Sequence, residues 1–136
     1  MHMNPVVHFE MPYEDMNRMT DFYVKTFGWK ANFLGPSMGD YVVVDTSEYD
    51  QTTKLPTMPG RINGGLFKKT KDNQHPSVVI AVPDIIVAMK NVAAAGGTVV
   101  GGQVAGEPDN IPGVGLYVLI IDTEGNRISM LQPNAM

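Results

Sequence analysis

VVHFEMPYEDMNRMTDFYVKTFGW, residues 6 to 29, is the stretch that sets the fold class. Val7, Phe9 and Met11 alternate with Val6, His8 and Glu10 in the period of two that a strand imposes, so His8 and Glu10 share one face. Pro12 is expected to end that strand, because proline cannot donate to a sheet ladder. Asp15 is then placed to N-cap a helix whose apolar positions Met16, Met19, Phe22, Tyr23 and Phe27 recur at spacings of three and four. Gly28 closes it, since glycine takes the left-handed conformation of a C-cap without penalty.

Downstream, the aromatic-rich Trp29 to Phe33, the run Tyr41 to Asp45 after a Gly35-Pro36 turn, and Ile62 to Lys68 read as strands. Thr46 to Arg61, with Pro56, Pro59 and Gly60, reads as a long loop of the kind that shapes a binding site. A second series follows: a strand at Ser77 to Val82, a helix opened by Pro83-Asp84 and closed by Gly96-Gly97, a strand from Val99, and strands at Leu116 to Asp122 and Arg127 to Gln132. Gly101 to Gly115, rich in glycine and proline, is expected to be a loop. An offset of 69 residues places His8 on Ser77, Asp15 on Asp84 and Gly28 on Gly97, which points to an internal duplication.

The 136 residues suit one α+β domain with one core, built from a first module over about 5–70 and a second over about 75–134. Ten basic against 14 acidic residues give a net charge of -4, and the only basic knot, Lys68, Lys69 and Lys71, reads as a solvated turn. Nucleic acid and anionic membranes are therefore not expected partners. The absence of cysteine leaves nitrogen and oxygen as the only strong metal donors and excludes thiolate chemistry. No long apolar run or secretory leader is visible, so the cytoplasm is the expected compartment; Met1-His2-Met3 is set aside.

Three stretches carry a family resemblance: VVHFEM with DFYVKTFGW at Asp21 to Trp29, NGGLF at Asn63 to Phe67, and IPGVGLY with DTEGN at Asp122 to Asn126. Together they resemble the vicinal oxygen chelate superfamily of glyoxalase I, bleomycin-resistance proteins and extradiol dioxygenases, over almost the whole chain. The resemblance implies two βαβββ modules whose curved mixed sheets form a cup, commonly paired in a homodimer, with a small organic ligand on the concave face. Metal-dependent members place four ligands in that cup. Here those positions fall on His8, on Gly64 or Gly65, on Ser77 and on Ser129, of which only His8 is a good donor.

No cofactor is therefore expected, and a divalent metal is disfavoured. One rescue set, His8, Glu10 and His75, would offer two imidazoles and a carboxylate if the loop histidine folded back into the cup. The candidate ligand-binding residues are His8, Glu10, Tyr41, Phe67, Ser77, Tyr117 and Ser129. His8 and Glu10 are also the candidate acid-base pair, against the alternative of a hydrogen-bonded strand histidine. Trp29, Phe33 and Tyr49, with Met11, Met38, Met58 and Met130, add aromatic and adaptable apolar surface suited to an apolar or aromatic ligand. The favoured function is a small-molecule-binding protein without the metal. The alternatives are a lyase, isomerase or dioxygenase that uses metal or the His8/Glu10 pair, and an interaction module that has lost its ligand.

Overall fold

The computed structural model describes residues 2 to 134, which fall into two compact units divided between Val7 and His8 and between Pro76 and Ser77. In chain order the elements are β1 (Val6–Tyr13), α1 (Met16–Phe27), β2 (Lys30–Phe33), a 3-10 turn at Pro36–Met38, β3 (Val42–Asp45) and β4 (Asn63–Lys68). There follow β5 (Ser77–Ala81), α2 (Ile85–Ala94), β6 (Thr98–Gly101), β7 (Asp109–Ile111), β8 (Gly115–Ile121) and β9 (Arg127–Pro133). The α+β fold expected from the sequence is thus present, with the same strand-helix-strands order in both series.

In the His8–Pro76 unit the strands run β2-β3-β4-β1, antiparallel except for the parallel β1/β4 pair. Phe9, Met11 and Tyr13 point to the α1 side, where Val42, Val44 and Leu66 are buried with Met16, Met19 and Trp29 packed against them. The helix is held at both ends. Asp15 accepts from the Arg18 amide at 3.0 Å, and Gly28, at φ 72°, donates its N–H to the Val24 carbonyl. Trp29 stacks on Tyr23 with ring centroids 4.6 Å apart, so it and Met11 belong to the core beneath the helix and not to a ligand wall.

Pro12 does not end β1. It pairs with Phe67, and Tyr13 continues the ladder. The Tyr13 carbonyl accepts from the Lys69 amide, so the polar backbone groups of odd-numbered β1 residues face β4 and those of residue 12 face away from it. The missing N–H of proline therefore costs the β1/β4 ladder nothing.

The second unit repeats the arrangement as β6-β8-β9-β5, with β5 and β9 parallel and Val79 opposite Ser129. Val82, Ile85, Val118, Ile120 and Met130 form its buried layer against α2, which places Met130 in the core. The Asp84 carboxylate caps α2 by accepting from the Ile86 and Val87 amides, and the Gln132 side chain takes the Ile85 amide at 2.9 Å. The expected Gly101–Gly115 loop contains a strand, β7, paired to the end of β8. Asp109 and Asn110 are poor strand formers, so this strand exists only because β8 offers an open edge.

Candidate ligand site

The face of the first unit opposite α1 is built by alternation. His8 and Glu10 from β1, Asn63, Gly65 and Phe67 from β4, and Val43 from β3 point to it, because their neighbours fill the helix-side core. Tyr41, immediately before β3, continues the same phase. Its hydroxyl lies between the two β1 side chains: it donates to Glu10 Oε2 at 2.8 Å and is 2.9 Å from His8 Nε2. Glu10 is 9% exposed, and His8 and Tyr41 are half-buried. Burial lowers the His8 pKa below its usual value, while the Glu10 carboxylate pulls weakly in the opposite direction.

This bridge needs the glycine at position 65. Gly65 sits between Glu10 on one side and Val43 on the other, and a Cβ there would overlap the Tyr41 hydroxyl. Gly64, one residue earlier, faces the helix side, where a Cβ would meet the Phe9 ring at 2.5 Å. The double glycine thus lets an aromatic side chain lie against β4 on each face, Phe9 on the helix side and Tyr41 on the other.

In the second unit Tyr117 and Ser129 meet, their oxygens 2.6 Å apart, and Ser129 is fully buried. Ser77 shares their face, two residues before the Val79 that opposes Ser129. Within the first unit the structure thus brings together His8, Glu10 and Tyr41, with Phe67 half-buried on the same face, and within the second Tyr117 and Ser129. His75 joins neither: among the described residues no three His, Asp or Glu side chains gather in a metal-holding group, which corrects the His8, Glu10, His75 set. The histidine lies in the bend before β5.

The Thr46–Arg61 loop also borders an open cleft of about 440 Å³, lined by Lys30, Asp45, Ser47, Glu48, Tyr49 and Arg61 among others. Lys30 and Asp45 reach it because they pair across β2 and β3, a register that residue spacing alone did not reveal. Burial raises the Asp45 carboxyl pKa, with Lys30 partly opposing the shift.

The sequence model of the Glyoxalase/Bleomycin resistance protein/Dioxygenase superfamily matches residues 6–130. The chain belongs to this superfamily. Among solved structures, a hypothetical protein from Bacillus halodurans superposes with a TM-score of 0.64 at 14% identity, covering 99% of this chain and 98% of its own. Streptomyces coelicolor methylmalonyl-CoA epimerase in complex with 2-nitronate-propionyl-CoA gives 0.67 at 11% identity, covering 99% and 98%. A superfamily member from Vibrio splendidus gives 0.58 at 16%, covering 96% and 99%. At these identities the superpositions establish the fold of this superfamily member and not its substrate. Curated protein sequences give no match. No helix among the described residues is long and apolar enough to cross a membrane.

Proposed function

We propose that this superfamily member binds a small organic ligand on the His8 face without the metal ion that metal-dependent relatives use. The observation that carries the reading is the His8–Tyr41–Glu10 bridge: two side chains able to serve as metal donors on this face are both bonded to one phenol hydroxyl. The other positions that correspond to family ligands make a poor donor set. Neither Gly64 nor Gly65 has a side-chain donor, Ser77 is a neutral hydroxyl, and Ser129 is buried against Tyr117. A divalent ion would have to break the bridge and would keep one imidazole and one carboxylate in exchange, and these residues do not fit it.

An enzyme resting on His8 and Glu10 alone is the second reading. Its support is the histidine's burial, which favours the neutral imidazole that a general base requires. In both readings Phe67 and Tyr41 supply the aromatic wall, and an apolar or aromatic ligand suits them.

The test is metal content by elemental analysis of protein purified without chelator or histidine tag, before and after adding zinc, nickel, manganese and iron, alongside native mass spectrometry for retained organic molecules. We expect no stoichiometric metal and an unchanged protein mass on metal addition. Near-stoichiometric metal that disappears in His8→Ala would overturn the reading and move a metal-dependent lyase, isomerase or dioxygenase to the front.

A further inference from the structure

We infer that Tyr41 is a positioning residue that fixes the tautomer of His8, so that the face presents its ligand with a bare acceptor nitrogen, His8 Nδ1, beside the Glu10 carboxylate. This rests on the reading of the His8 face as the ligand site. A tyrosine hydroxyl carries one proton, and that proton goes to Glu10 Oε2 at 2.8 Å. Only lone pairs of the Tyr41 oxygen then remain for His8 Nε2, 2.9 Å away. Two acceptors facing each other make no bond, so Nε2 carries the hydrogen and donates it. Above the ordinary histidine pKa of about 6.5 the imidazole is neutral and has one N–H. Nδ1 is therefore left with its lone pair, and among the described residues none hydrogen-bonds to it.

The strand order shows how the sequence builds this device. Tyr41 stands at the start of β3, and its targets are on β1, two strands away across β4. Adjacent strands lie roughly 4.8 Å apart, so the ring must pass directly over β4 to arrive. Gly65 is the β4 residue under that path, and any side chain there would collide with the hydroxyl. The resemblance puts a family donor at Gly64 or Gly65; neither has a side chain, and a phenol from a neighbouring strand uses the room at Gly65. His8, in turn, can no longer offer Nε2 to a ligand or a metal.

The ligand class follows from the charge and the lone pair. A group set against Nδ1 must donate a hydrogen bond, and the adjacent Glu10 carboxylate favours a neutral or cationic donor over an anion. An alcohol, amide N–H or amine on an aromatic body meets these demands; a carboxylate or phosphate does not.

The experiment is two-bond ¹H–¹⁵N correlation of the histidine ring in the full chain, comparing wild type with Tyr41→Phe and Gly65→Ala. We expect His8 to show a protonated-type Nε2 and a pyridine-type Nδ1 in wild type, and the two nitrogen shifts to converge toward tautomer averaging in both variants. A wild-type Nδ1–H tautomer, or an Nε2–H signature unchanged in folded Tyr41→Phe, would overturn the assignment. The wild-type spectrum decides even if a variant fails to fold. Benzylamine and benzoate then probe the ligand half of the inference. A larger movement of the Nδ1 shift with benzylamine is expected, and an equal or larger response to benzoate, or none to either at high millimolar concentration, would sink it. The wrong tautomer in metal-free protein defeats this inference alone, whereas metal bound at His8 defeats the reading beneath it.

Discussion

The two units share a plan and differ in what lies on the face away from the helix. Each has an aspartate-capped helix over a buried layer, an outer antiparallel pair, and first and last strands running parallel. Yet the first unit's face carries an imidazole, a carboxylate and a phenol in one hydrogen-bonded chain, while the second unit's carries a phenol beside a buried serine hydroxyl. The repeated half of the structure is the apolar layer, which burial enforces. The unrepeated half is polar, and its identity is set by which strand neighbour supplies a hydroxyl.

The largest test of that comparison strikes the shared layer. Leu66→Ala removes a fully buried side chain and is expected to cost about 2–5 kcal/mol by urea denaturation. Val118→Ala, in the second unit's buried layer, loses less volume and should cost less. Gly65→Ala comes next: its Cβ must displace the Tyr41 hydroxyl, an overpacking cost of about 1–3 kcal/mol. A crystal structure of that variant should show Tyr41 swung away from Glu10, and an undisturbed ring would refute the account of the glycine.

The caps sharpen the comparison on a smaller scale. Removal of either cap costs about 0.5–2 kcal/mol, and Asp84→Ala should exceed Asp15→Ala in thermal denaturation, because Asp84 holds two amides and Asp15 one. The smallest effect is that of pH. The folded pKa of His8 lies below 6.5, so the unfolded chain takes up its proton first as the solution is acidified. Its contribution is present above pH 6.5 and is lost as pH falls through the folded value. The drop in urea midpoint between about pH 7.5 and about pH 5.5 should therefore shrink in His8→Gln, and an unchanged drop would mean that burial of this imidazole does not act on stability.

What was legible in the sequence was what neighbours along the chain decide. Asp15 and Gly28, and Asp84 at the matched offset, mark helix ends because their partners lie within a turn of the backbone. His8 and Glu10 share a face because strands alternate, whatever surrounds them. The lack of a side-chain donor at Gly64 and Gly65 could also be read directly. Pro12 was misread because its effect depends on which side of β1 its missing N–H faces, a property of the pairing and not of the residue. β7 is not legible because Asp109 and Asn110 have no strand preference of their own, and the place of Trp29 in the core depends on its stacking on Tyr23.

The sequence by itself determined the repeated strand-helix pattern and the family, since each depends on residue type and short spacing. Only the tertiary structure decided that Tyr41 crosses β4 above Gly65 to hold His8 and Glu10. That contact joins residues 33 and 31 positions apart, and it requires the β3–β4–β1 order and its register to be in place before the hydroxyl has anything to bond.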